Sequence, residues 1–186
     1  MLEEALSLNA PLPVDTPPKV RCALLFAYLF VNLNNMLYSI ALGIVIKNNK
    51  ILLLKRTKGD FIDLLAIPGG KIEANEHVKD ATIREIKEET GIESDFKEYL
   101  GCVSEILIEN NEITANFILH LCALTPKTKL KKHAKWYDLN SLDKVKQEII
   151  PSDYKMIENF VLNKNKRYYD CVEEKIGDKY YVRKFL

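Results

Sequence analysis

Paired cysteines are missing from this chain. Its four cysteines, Cys22, Cys102, Cys122 and Cys171, stand far apart and form no CxxC spacing. That argues against a zinc site and leaves no disulfide framework, so the thiols read as small buried hydrophobes in a reducing, cytoplasmic setting. A charge excess is missing too. The formal net charge is +1, and the whole molecule lacks the electrostatic mark of a nucleic-acid or membrane-surface binder. No stable partner of either kind is expected. Long apolar runs are absent as well. CALLFAYLFV (Cys22–Val31) is about half the roughly 20 residues that a membrane-spanning helix needs. There is no internal repeat and no low-complexity tract. The chain's 186 residues, 47% apolar and 28% charged, suffice for one domain with a core, or a domain with an appendage.

Three segments are expected. Residues 1–35 contain MLEEALSLNAPLPVDTPPK, with four prolines and little periodicity. They read as an N-terminal extension, partly disordered, with the short apolar segment docking on the domain. Lys19 and Arg21 precede that segment as in a signal peptide, but the long leader carries Glu3, Glu4 and Asp15 and no small-residue cleavage site. A peripheral membrane anchor and a natural start at Met36 are the alternatives. A domain spans 36–150. Residues 151–186 are expected to pack on it as a helix and a β-hairpin.

Within the domain, LYSIALGIVI (Leu37–Ile46) and ILLLK (Ile51–Lys55) read as a hairpin turning at Asn48-Asn49. Arg56–Leu65 is a loop leading into a Pro68-Gly69-Gly70 turn. A helix follows over about Asn75–Thr90, then strands over about Asp95–Glu109 and Glu112–Leu124, joined at Asn110-Asn111. Lys135–Leu139 is a short strand. Asn140 and Ser141 cap a short helix through Gln147. Pro151–Asn163 is a second long helix, and the tail is a hairpin turning at Gly177-Asp178. This mixture of hairpins and helices is that of a layered α/β or α+β domain.

The first helix poses a chemical question. One stripe runs Val78, Ala81, Glu85, Glu88, Glu89, so an apolar seam continues as three carboxylates. An adjacent stripe, Thr82, Ile83 and Ile86, does the packing. Gly91 stands where a left-handed residue ends a helix. Glutamates on a helix often simply face water, and Asp80–Arg84 and Arg84–Glu88 form i,i+4 pairs. Clustered carboxylates repel one another, however, and suit a hard cation such as Mg²⁺ that shares itself with substrate phosphates. The glycine turn ahead of the helix lets backbone approach such a ligand closely.

Gly70, Glu76 and the run Arg84-Glu85-Ile86-Lys87-Glu88-Glu89-Thr90-Gly91-Ile92 resemble the complete signature of the Nudix hydrolases. More loosely, the likeness extends over about 37–142. It implies an α/β/α sandwich around a mixed β-sheet, and hydrolysis of a nucleoside diphosphate linked to another group, with Mg²⁺ or Mn²⁺. It further implies that Glu85, Glu88 and Glu89 bind metal with the Gly69 carbonyl, that Arg84 orients a glutamate by an ion pair, that Glu76 with Gly70 and Gly91 supports the loop, and that Lys71 meets phosphate. Arg56 is a second candidate for substrate contact. Glu88 or Glu89 is the candidate proton acceptor within the signature. Outside it Glu105 is weighed, although an exposed strand glutamate is the simpler reading.

The chain departs from the family's habits in places. His133 stands where many relatives carry a further glutamate, and is expected to be a surface histidine. Leu65 replaces a common aromatic. The proline typical of ADP-ribose-cleaving relatives is missing from 105–109, as is the tyrosine of diadenosine-polyphosphate hydrolases. The basic run Lys127–Lys135 can meet substrate phosphates or an RNA backbone, a solvated loop being the plainer reading. His120 reads as a core histidine, and the tail tyrosines Tyr168, Tyr169, Tyr180 and Tyr181 as packing on a sheet face. The expected function is Mg²⁺-dependent cleavage of a pyrophosphate bond, in a nucleoside triphosphate first. RNA 5′-pyrophosphate hydrolysis, ADP-sugar cleavage and non-catalytic nucleotide sensing are the rivals, and a second copy of the chain is a candidate partner.

Overall fold

The computed structural model describes residues 37–131, 134–164 and 167–186. The expected N-terminal extension and His133 lie outside the described residues. Two asparagine pairs make the turns that start the fold. Asn48 and Asn49 have φ of 50° and 58°, and Asn110 and Asn111 have 53° and 62°. Asparagine tolerates this left-handed geometry, and two such residues in a row match the twist of a tight hairpin. The first pair joins β1 (Leu37–Lys47) to β2 (Lys50–Lys55), and the second joins β5 (Ser94–Glu109) to β6 (Glu112–Pro126).

Between these hairpins lie β3 (Leu65–Ala66), β4 (Gly69–Lys71) and α1 (Val78–Thr90). After β6 come β7 (Ala134–Asp138), a 3₁₀ helix (Leu139–Glu148), α2 (Pro151–Met156), β8 (Tyr168–Ile176) and β9 (Lys179–Phe185). Beyond Met156 the helix widens into π-type turns over Ile157–Asn163. The sheet runs β3-β2-β1-β6-β5-β8-β9, with β4 on β1 and β7 on β2. It is mixed: β1 pairs β6 and β5 pairs β8 in parallel, and the other pairings are antiparallel.

Strand alternation sends β1 side chains to two cores. Leu42 and Ile44 join Leu121, Met156, Ile157 and Phe160 on the α2 side, while Val45 joins Ile86, Ile92 and Leu124 under α1. This is an α/β/α sandwich around a mixed sheet. Helix α1 lies very close to β1, because a Cβ at Gly43 would stand 2.5 Å from Ile86.

Several local expectations need correction. Helix α1 begins at Val78, not Asn75. Asn75 sits at φ 64° in a turn, closed by the Glu76 carboxylate accepting from the Glu73 N–H at 3.1 Å. Gly69-Gly70 is extended backbone, paired to Leu42 and Ala41 as β4, rather than a turn. The 3₁₀ helix is capped by the Asp138 side chain, which accepts from Asn140 N, and not by Asn140 or Ser141. His120 is only half-buried, and its Nδ1 lies 2.9 Å from the Tyr99 hydroxyl. Of the tail tyrosines, Tyr169 is buried against Phe160 and Phe185, whereas Tyr180 stacks on Phe61 with ring centroids 4.1 Å apart.

Candidate active site

The segment before the signature is held at almost every residue. Leu65 C=O accepts from Ile150 N at 2.9 Å, and Pro68 C=O accepts from Gly43 N at 2.9 Å. Ile67 N–H donates to Asp153 Oδ2 at 2.6 Å, and Gly69 N–H donates to Glu89 Oε2 at 2.9 Å. Strands, α1 and the start of α2 therefore fix one short stretch of backbone, and they bring β4 against the acidic half of α1.

Arg84 organises that half. Its Nε and one terminal nitrogen donate to the two oxygens of Glu76, each at 2.8 Å. The other terminal nitrogen donates to Glu85 Oε1 at 2.7 Å and lies 3.6 Å from Glu88. The guanidinium also donates to Lys71 C=O at 3.1 Å. The fork ties helix, loop and β4 together, as a planar guanidinium does best. It holds the Glu76 carboxyl well below its ordinary range, at about 2. Gly70 leaves room for Glu85: a Cβ there would meet the carboxyl atoms at 2.5–2.7 Å. Gly91, at φ 70°, ends α1.

Glu89 is half-buried, with its carboxylate tied to β4 by the Gly69 N–H. Loss of hydration, and then the neighbouring Glu85 and Glu88 charges, push its carboxyl up to about 7 against the pull of the Gly69 N–H and Arg56. Glu88 faces outward, with 60% of its side chain exposed. The cluster divides the Arg84 guanidinium among Glu76, Glu85 and Glu88, and its Glu89 feels both acidic neighbours and the charge of Arg56. Its oxygen-only donors fit a hard divalent cation. Among the described residues, no three His, Cys, Asp or Glu side chains converge as a complete ligand set. A hard cation such as Mg²⁺ completes its shell with water and substrate phosphates.

The other candidates lie around this centre. Lys71 is exposed, with its ammonium 4.0 Å over the Tyr38 ring. Arg56 closes its own loop by donating to the Asp60 and Lys58 carbonyls at 2.9 and 3.4 Å, and its charge reaches Glu89 and Asp153.

Glu105 is not an exposed strand residue. It is 4% exposed, and shares the inward face of β5 with Val103 and Leu107, on the α2 side of the sheet. There it joins Asp153 and Glu173. Glu173 accepts from Ser152 N at 3.3 Å, while one oxygen each of Glu105 and Glu173 lacks a partner among the described residues. Burial pushes Asp153 up to about 7 and Glu173 up to about 8, with Glu105 raising both further, and burial raises Glu105 itself. The buried thiol of Cys171 is raised by burial and by these carboxylates. This interior cluster escaped sequence reasoning. Its signal was the alternation Val103-Glu105-Leu107, which points a glutamate inward.

Known proteins resemble this chain in sequence and in fold. The NUDIX domain family matches residues 37–160. An ADP-ribose pyrophosphatase of Methanocaldococcus jannaschii is 38% identical over 117 residues, 60% of this chain and 69% of that protein. An 8-oxo-dGTP diphosphatase of Buchnera aphidicola is 36% identical over 66 residues, 35% of this chain and about half (51%) of that protein. Among solved structures, a mutator MutT protein from Bacillus halodurans shares the fold with a TM-score of 0.61 at 21% identity, covering 78% of this chain and 97% of that one. Among the described residues, no helix is long and apolar enough to cross a membrane. With its sandwich fold, its family match over residues 37–160 and its signature residues gathered on β4, α1 and the loops at the two ends of that helix, the chain belongs to the Nudix hydrolase family.

Proposed function

We propose that this protein hydrolyses the pyrophosphate bond of a nucleoside triphosphate with Mg²⁺, Mn²⁺ serving as substitute. One observation carries the reading: Glu85, Glu88 and Glu89 stand together beside the Gly69-Gly70 strand, with the half-buried Glu89 pressed by its two acidic neighbours. In this reading the three carboxylates and the Gly69 carbonyl hold the ion. When bound, the ion neutralises phosphate charge and acidifies a coordinated water. Arg84 orients Glu85, Glu76 anchors Arg84, and Gly70 and Gly91 shape the loop and the helix end. Lys71 and Arg56 offer positive charge to the phosphates. The proton acceptor is Glu88 or Glu89, since burial on the α2 side withdraws Glu105 from that role.

The relative named 8-oxo-dGTP diphosphatase and the absence of the ADP-ribose proline support a triphosphate substrate. The identity to a relative named ADP-ribose pyrophosphatase favours a second reading, an ADP-sugar. Product release from nucleoside triphosphates, ADP-ribose and triphosphorylated RNA, assayed in parallel with Mg²⁺, separates them. The first reading expects the highest kcat/KM on a nucleoside triphosphate, and higher values on ADP-ribose or RNA would replace it.

A further inference from the structure

A second site stands away from the signature. At the tip of the β1–β2 hairpin, a cavity of about 660 Å³ is lined by Lys47, Lys50, Lys129, Lys131, Leu130 and Trp136 among others, and among the described residues no acidic side chain lines it. Its size is that of a small-molecule or nucleotide pocket. None of the four lysines forms an ion pair among the described residues. Glu93, close enough to feel Lys131, is taken by Lys87 at 3.1 Å. The neighbouring Lys127, by contrast, is matched by Asp95 at 2.7 Å.

The lysine loop is anchored. Lys127 N donates to Glu93 C=O at 2.7 Å, Lys131 N donates to Thr90 C=O at 3.1 Å, and Thr128 Oγ1 accepts from Glu93 N at 2.9 Å. Trp136 packs, half-buried, on the core beneath α1 and also lines the cavity. The C-terminal end of α1 explains one lysine, since a cation there complements the helix dipole. It does not explain Lys47 and Lys50 on a different element.

Four lysines that form no ion pair among the described residues and line one cavity with an indole select a ligand with several negative charges and a flat ring. We propose that this cavity binds a segment of single-stranded nucleic acid, with a base stacked on Trp136 and successive phosphates held by the lysines. Such grooves combine backbone neutralisation with sequence-tolerant stacking. The whole-chain charge of +1 conceals the site, because the acids that balance these lysines lie elsewhere. The inference is independent of the hydrolytic reading. The cavity lies about five β-residues, roughly 16 Å, along β1 from Leu42, the partner of Gly69.

Trp136 is the chain's single tryptophan, and its fluorescence is a built-in probe. The full chain is titrated, without divalent ions, with a single-stranded oligonucleotide of about eight residues carrying hydroxyl ends. The expected result is saturable quenching whose log affinity falls with log salt at a slope near −2.8, about −0.7 for each of four phosphates. Lys50→Glu and Lys129→Glu should each flatten that slope by at least about 0.7 while Mg²⁺-dependent triphosphate hydrolysis stays at the wild-type rate. Trp136→Phe, followed by anisotropy of a labelled strand, should bind more weakly by about 5-fold or more. Lack of saturable quenching at low salt overturns the proposal, as do lysine variants that bind unchanged. Equal affinity for tripolyphosphate, which has no base, or for a mononucleotide, which has no strand, overturns it as well.

Discussion

Arg84 holds both oxygens of Glu76 at 2.8 Å and, with its remaining nitrogen, one oxygen of Glu85 at 2.7 Å. A lysine cannot reproduce this fork. Arg84→Lys should lower kcat about 10- to 100-fold, as loss of an orienting partner does, and change KM less. Steady-state kinetics on a nucleoside triphosphate with Mg²⁺ test it. An unchanged kcat would show that Glu85 needs no guide.

Glu88→Gln and Glu89→Gln keep shape and remove charge. Each should cut turnover by about 10²–10³-fold or more while circular dichroism remains that of the folded protein. Retained turnover in both variants would remove the proposed roles of these carboxylates.

Gly70→Ala introduces a methyl group 2.5–2.7 Å from the Glu85 carboxyl. Since that side chain must then move, kcat should fall by at least about tenfold, whereas the thermal midpoint should change little, the clash being with a side-chain end. A large drop in midpoint with intact kcat would place the glycine's role in folding alone.

Asp153 and Glu173 have carboxyls raised to about 7 and about 8 in the folded chain. The folded state therefore binds more protons than the unfolded state between the ordinary carboxyl range and those values. Stability should be full below pH 4 for these groups and should decline as pH rises through 7 to 8, by at most ~1.4 kcal/mol per pH unit for each. Urea midpoints from pH 5 to 9 read this slope. Glu173→Gln, which mimics the protonated form, should flatten it, and a slope equal to wild type would deny the cluster its part.

Tyr180 ties the tail hairpin to the Arg56 loop, through the stack on Phe61 and a hydroxyl that accepts from Phe61 N at 3.2 Å. Tyr180→Ala should free the loop and raise KM several-fold with a smaller effect on kcat. An unchanged KM would separate the hairpin from substrate binding.

Local chemistry made much of this molecule readable. Paired asparagines announced both hairpins, and Gly91 marked the end of α1. The signature residues drew attention to one helix before any coordinate did. What escaped was decided by distant partners. Gly69-Gly70 is a strand only because β1 offers Leu42 and Ala41 to pair with. Asp138 displaced Asn140 as cap because the chain leaves β7 with that carboxylate already beside the free N–H groups. Glu105 looked like a surface residue because β8, which buries it, lies more than sixty residues later in the chain. The lysines around Trp136 come from two segments, one of which was singled out as a basic run, while the other supplied only Lys47 and Lys50.

The parallel union of β5 with β8 has a consequence for the chain during synthesis. Residues 168–176 are made after β5 and β6, so until they emerge the long β5–β6 ribbon waits with one border unpaired. A bare strand border invites association with other chains, and a charge on its inward side discourages it. Glu105, still hydrated and ionised at that stage, stands on the waiting border. The residue that burdens the finished interior thus guards the nascent one, and it surrenders its water only when α2 and β8 close over it.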